Sequence, residues 1–191
     1  YSADVYLPYF IALRRVTGRD LFGETAVHAL HEWSLNLRMP NGRRPNVDDG
    51  HLDDFYGHYL ASIAENGGEF RWDWENNISG LYVRQFSEPD AIALYDDSVE
   101  PTRPSRHPTV FMPSGGDAVF RSDWTENATY LLLRGEHGRP RSSGLSHEHP
   151  DETSFLLYAA GEILALDAGY INFENHGKVC HLYTSPSPRD Y

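Results

Sequence analysis

The hydrophobic period of this chain changes once, across a proline-rich stretch, and that switch limits the folds open to it. Residues 88–108 carry Pro89, Pro101, Pro104 and Pro108 with Asp96-Asp97, a connector and a domain boundary. Before it, apolar residues recur at helical spacing. After it, they come in short β-prone runs. One layer type cannot satisfy both patterns. The expected organisation is a helical part over 1–87, a linker over 88–108 and a β part over 109–179.

The helical part reads in segments. Tyr6, Tyr9, Phe10 and Leu13 share a face, and Thr17-Gly18 ends that segment. Asp20 suits the cap of a second helix, with Ala26, Leu30, Trp33 and Leu37 as its stripe and Pro40-Asn41-Gly42 as the turn after it. A third helix places Leu52, Phe55, Tyr56, Tyr59, Leu60 and Ile63 on one side and ends at Asn66-Gly67-Gly68. A further helical piece is expected over 76–87. Helix, short connection, helix suits a bundle or an (α/α) toroid.

In the β part, Thr109–Met112, Ala118–Ser122, Thr129–Arg134, Ser154–Ala159 and Glu162–Leu166 are the strand candidates. Ala160-Gly161 reads as a hairpin turn, which pairs positions summing to about 321. Gly135–Ser146 is a polar loop bearing Arg139 and Arg141. This half is expected to be a partial antiparallel β-sandwich.

Charge narrows the partners. Lys+Arg number 16 against 28 Asp+Glu, a formal net charge of -12. A nucleic-acid binder needs a basic face, so that class is set aside. No apolar run approaches the roughly 18 residues of a membrane helix. Acidic sugars stay open, because a local Arg pair can bind carboxylate or sulfate bidentately. Arg43 and Arg44 in the Pro-Asn-Gly turn, and Arg139 and Arg141 in the loop, are the candidates; solvated loop arginines are the bland alternative. Trp72 and Trp74 suit sugar stacking or, more ordinarily, packing at a domain interface.

Both ends read as cut. The chain begins Tyr1-Ser2-Ala3, without Met, so the lack of a leader is uninformative. Residues 180–191 resemble a translated sequencing adapter, apart from His181, and are set aside as a scar. That segment holds the only Cys, Cys180, so neither a disulfide scaffold nor thiol catalysis is expected.

The richest polar cluster is Ser146-His147-Glu148-His149-Pro150-Asp151. Eighteen residues after His149 comes Asp167, in Leu166-Asp167-Ala168-Gly169-Tyr170. The hairpin register brings Asp167 opposite Ser154, near the chain that follows His149. Two imidazoles and a carboxylate are an ordinary ligand set for zinc or another divalent metal. A third imidazole or a water would complete it, and His176 is available.

These segments, in this order, resemble the heparinase II/III-like polysaccharide lyases. The resemblance covers Ser114–Trp124, Ala128–Leu133, His147–Phe155 and Gly161–Tyr170, with Ala168 where the family has Pro. It covers Met39–Gly42, Pro45 and Asp48-Asp49 more weakly. It implies the end of an (α/α) toroid followed by a partial antiparallel β-sandwich, in a truncated fragment. It implies β-elimination on a uronate-containing polysaccharide, with His147 as the active-site histidine and His149 and Asp167 as ligands of a structural zinc. The family's third ligand lies in a later "HN" segment and its Asn-His pair and Tyr lie on the toroid. Here the set is expected to be incomplete, with the Asn-His pair and Tyr upstream of Tyr1 and the 191-residue chain inactive. The resemblance also implies a bacterial protein that is periplasmic or secreted. Two other readings stand beside it: a non-catalytic carbohydrate-binding or structural module, and a cupin-type barrel that holds iron for oxygen chemistry.

Overall fold

The computed structural model describes residues 2–47, 58–76, 93–137 and 153–166. Among them are five helices followed by a five-stranded antiparallel sheet. The chain divides into two compact units. One takes in Tyr1–Arg38 and Phe55–Ser105, the other Met39–Asp54 and Arg106–Tyr191.

The first unit is helical. Helix α1 (Ser2–Thr17) buries Leu7 and Ile11 and lays Tyr6 and Phe10 beside them. It ends as its sequence demands: Gly18, at φ +75°, donates its N–H to the Arg14 carbonyl. Asp20 caps α2 (Leu21–Glu24), its carboxylate accepting from the N–H groups of Phe22 and Gly23. The chain then breaks and restarts as α3 (Val27–Leu37).

The stripe expected on α3 is only partly the buried one. Leu37 is buried as expected, but Leu30 is 48% exposed, and His31, Ser34 and Leu35 are buried beside Leu37. The reason is aromatic. His31 stacks on Phe22 at 5.8 Å, meets Phe70 edge-on at 6.0 Å and bonds the Tyr6 hydroxyl at 3.3 Å. A histidine so placed acts as a core aromatic with a polar tip, which a count of apolar residues overlooks.

Helix α4 (His58–Glu65) contributes Tyr59, Leu60 and Ile63 to the same core, as their spacing requires. It closes at Asn66, φ +58°, with the Gly67 N–H donated to the Ser62 carbonyl. Helix α5 (Gly68–Glu75) follows directly and was not expected. The double glycine that stops α4 also starts α5. An added Cβ at Gly68 would lie 2.7 Å from the Glu100 carbonyl oxygen, so the glycine lets residues 100–102 approach. Most of the helix expected over 76–87 falls outside the described residues, as do Leu52, Phe55 and Tyr56. No described helix is long and apolar enough to cross a membrane.

The second unit is a meander. Strands β1 (Val110–Met112), β2 (Asp117–Arg121), β3 (Tyr130–Leu133), β4 (Phe155–Ala159) and β5 (Glu162–Ala165) pair in sequence order, all antiparallel. All five match the expected runs. Ala160 and Gly161, at φ +53° and +83°, form the tight turn between β4 and β5. Tyr158 pairs with Ile163 and Ala159 with Glu162, the expected register. The register then slips by one residue, and Leu157 faces Ala165.

Alternation sorts the sheet into two faces. Val119, Leu132 and Leu156 lie abreast on one face, with Tyr130 and Tyr158 paired beside them, and all are buried. Phe111, Phe120, Leu133 and Phe155 emerge on the other and are exposed.

Candidate functional site

The expected catalytic and metal residues all lie outside the described residues. His147, His149 and Asp167 fall there, as do Arg139 and Arg141. Among the described residues no group of three His, Cys, Asp or Glu side chains is placed to hold a metal. What the structure does describe is the rim from which the histidine-bearing segment departs and to which it returns.

That rim is built on Arg134, the residue after β3. Its N–H donates to the Ser154 carbonyl at 3.0 Å, and its carbonyl accepts from the Thr153 N–H at 2.8 Å. One residue of β3's extension therefore faces two on the incoming side of β4. Thr153 sits at φ +74°. Thr153 thus stands in the left-handed region at the turn that leads into β4, with its N–H held by Arg134.

The Arg134 side chain anchors the same point. Its Nη2 donates to Glu136 Oε2 at 2.9 Å, and its Nε lies 3.6 Å from Asp117 Oδ1. Arg134 and Asp117 are both buried. The β1–β2 turn closes against this rim: an added Cβ on Gly135 would lie 2.8 Å from the Gly116 carbonyl oxygen. Alternation made Arg134 legible as an inward residue, two after Leu132 and four after Tyr130. Its bonds to Thr153 and Ser154 were not, because they need the strand pairing.

The same sheet face carries a second cation. The Arg121 guanidinium lies 4.1 Å from the Trp124 ring centroid and 5.2 Å from that of Tyr130, and it donates to the Pro108 carbonyl at 3.2 Å. Burial pushes the Tyr130 phenol well above its ordinary range, while Arg121 and Arg44 pull weakly the other way.

The Met39–Arg43 turn belongs to this unit. Gly42 donates to the Met39 carbonyl at 2.9 Å and Met39 to the Arg43 carbonyl at 2.9 Å, with Gly42 at φ +85°. Arg44 is 4% exposed and donates to the Gly42 carbonyl; Arg43 is half-buried. In the helical unit Trp72 is buried, with Arg38 4.5 Å and Arg103 5.9 Å from its ring centroid. Trp74 packs 4.8 Å from Tyr59. Both indoles are engaged within their own unit.

No curated protein matches the chain by sequence. Among solved structures, the chain is similar to one described as heparinase III, with TM-score 0.62 and 16% identity over 98% of this chain and 28% of that one. A heparinase III from the BT4657 gene product gives TM-score 0.60 and 17% identity, over 93% and 26%. A heparan sulfate lyase HepC mutant from Pedobacter heparinus gives 0.58 and 21%, over 95% and 26%. At these identities the likeness speaks to the fold, and the chain spans about a quarter of those proteins' length. The profile of the family described as heparinase II/III-like, C-terminal, matches residues 104–190, which contain the whole sheet and the His147–Asp167 stretch. Over those residues, a little under half of the chain, the sequence is similar to the heparinase II/III-like family.

Proposed function

We propose that the chain is part of a polysaccharide lyase that cleaves a uronate-containing polysaccharide by β-elimination. The observation that carries this reading is the family match over residues 104–190, which takes in both the sheet and the histidine segment. In this reading α1–α5 end an (α/α) toroid and β1–β5 open a β-sandwich. The similar structures described as heparinase III and heparan sulfate lyase support an acidic, sulfated or carboxylated substrate.

The chemistry fixes what the residues must do. The C5 proton of a uronate becomes removable when the neighbouring carboxylate charge is neutralised. A base takes that proton, the C4–O bond breaks, a C4–C5 double bond forms, and an acid returns a proton to the leaving oxygen. An imidazole titrates in the working range and can neutralise charge or move a proton, so His147 takes one of these roles. Arg43, Arg139 and Arg141 are the arginines proposed to meet substrate carboxylate or sulfate; Arg44, buried, serves better to hold the turn that presents Arg43. His149 and Asp167 would hold zinc, which organises the loops beside the cleft rather than the reaction itself. A periplasmic or secreted bacterial location belongs to the same proposal.

The test is the complete protein incubated with heparan sulfate, hyaluronan and alginate in turn. Unsaturated uronate products absorbing in the near ultraviolet from any of them support the reading. None from any uronate polymer would overturn it. The 191-residue chain alone is expected to give little or no product, because it spans about a quarter of the length of the similar lyases. Metal analysis adds a second arm: zinc without redox activity agrees, and iron with oxygen consumption favours a barrel oxygenase.

A further inference from the structure

One histidine of the helical unit stands between carboxylates from two helices. His28 lies in the first turn of α3, and Glu65 is the last residue of α4. The His28 Nδ1 lies 3.1 Å from Glu65 Oε1, and its Nε2 lies 3.8 Å from Glu32 Oε1, one turn along α3. The rings of Phe22 and Phe70 meet the imidazole edge-on at 5.8 and 6.4 Å. The other oxygen of Glu65, Oε2, is closed off from water and has no hydrogen-bond partner.

Both groups sit at unfavourable helix ends. A carboxylate at a helix C-terminus and an imidazolium at an N-terminus are each opposed by the helix dipole. No basic residue lies in the last turn of α4 to offset Glu65. Arg14 of α1 reaches that end, but its guanidinium donates to the Ala64 and Ile63 carbonyls. Asp20, the cap of α2, and Glu32 bring two further carboxylates. One imidazole thus faces three acids, and an ionised carboxylate with an enclosed, unpaired oxygen is costly. Protonation removes that cost. Burial accordingly pushes the Glu65 carboxyl up; His28 pulls it back, and Glu32 and Asp20 push it up again.

We propose that the Glu65–His28 contact is a proton-sensitive clasp between α4 and α3: it tightens when Glu65 takes up a proton and loosens when Glu65 gives it up. The proton is exchanged with solvent through the exposed part of the glutamate side chain, 32% of it. A carboxyl held above its ordinary value of 4.5 binds its proton more tightly folded than unfolded. Its stabilisation is complete below that value and fades as pH rises through the folded one. The helical unit is therefore tightest in weak acid and looser at neutral pH. The clasp lies wholly within that unit and does not rest on the lyase reading.

The experiment is amide hydrogen exchange on the 191-residue chain from weak acid to neutral pH, corrected for the intrinsic pH dependence and read at the first turn of α3. The parent should lose about threefold or more in protection there as pH rises, with β3 unchanged. Glu65→Gln keeps an oxygen for His28 and cannot ionise, so it should hold α3 protected throughout. His28→Gln removes the group that pulls the carboxyl down, so its step should persist with the midpoint moved to higher pH. A parent without a step overturns the proposal, as does a Glu65→Gln variant that keeps the parent's step. A step that vanishes in His28→Gln would put the proton on the imidazole and also overturns it. If Glu65→Gln does not fold, the His28→Gln midpoint decides alone: an upward shift supports the clasp, and an unmoved or absent step sinks it.

Discussion

Arg38 and Asp73 form a buried ion pair, Nε to Oδ1 2.8 Å, with side chains 4% and 0% exposed. Arg38 follows α3 and Asp73 lies on α5, so the pair ties two helices of the first unit. The guanidinium also donates to the Asn76 carbonyl and lies over the Trp72 ring. Removing one partner of such a pair strands the other charge in a low dielectric, at a cost of about 3–5 kcal/mol. Asp73→Ala should lose that much in urea unfolding followed by tryptophan fluorescence. A loss under about 1 kcal/mol would mean that water reaches Arg38 and the pair is effectively a surface one.

The close approach of two glycines makes a sharper test of the sheet unit. Gly116 lies at φ +93°, and a Cβ there would overlap the Gly135 carbonyl and lie 2.7 Å from His137 Nδ1. A Cβ added at Gly115, its neighbour, would meet nothing within 4 Å. Gly116→Ala should destabilise the sheet by at least about 2 kcal/mol through left-handed strain plus overlap. Gly115→Ala should stay within about 0.5 kcal/mol of the parent. Equal melting of the two variants would contradict the packing described.

The strands were legible because their signal is local. Alternation gave all five, and Ala160-Gly161 gave the register at Tyr158 and Ile163. The slip at Leu157 left no local trace, so the extrapolation to Ser154 opposite Asp167 could not allow for it. On the helical side the period counted only apolar residues, and His31 and Ser34 occupy the buried face of α3. Helix α5 was hidden because Gly67-Gly68 reads as an ending, and only the contact with residues 100–102 shows why it is also a beginning. The Arg134 rim was not read from the sequence, which marked Arg134 only as the end of a strand candidate. Its partners are separated by up to twenty residues and meet only when β2, β3 and β4 are paired.

The outer face of the sheet should make the isolated chain associate. Phe111, Phe120, Leu133 and Phe155 are exposed together there, and Phe111 meets Phe120 edge-on at 5.6 Å. Strand edges and contiguous apolar faces of this kind favour self-contact. Light scattering after size exclusion should show a mass above that of one chain, rising with concentration. Phe111→Lys with Phe155→Lys should move it towards one chain without lowering the melting point by more than a few degrees, because both rings are already exposed. A single sharp monomer for the parent chain would refute the expectation.

Alkaline stability offers a test of the inner face. Tyr130 is buried against Arg121, and its cross-strand neighbour Tyr158 also has its phenol pushed up, first by burial and then by Glu162 and Glu126. A phenol raised above its ordinary value of about 10 holds its proton more tightly folded than unfolded. Between those two values the unfolded chain binds fewer protons, so stability falls as pH rises through the window. The contribution is complete below the ordinary value and is lost above it. Phenolate absorbance should therefore show Tyr130 titrating only together with loss of the sheet. Tyr130→Phe keeps the ring beside Arg121 and removes the ionisable group, so its alkaline unfolding midpoint should move upward. If Tyr130→Phe unfolds at the same alkaline pH as the parent, deprotonation of that phenol is not what opens the sheet, and solvent must reach the inner face by another route.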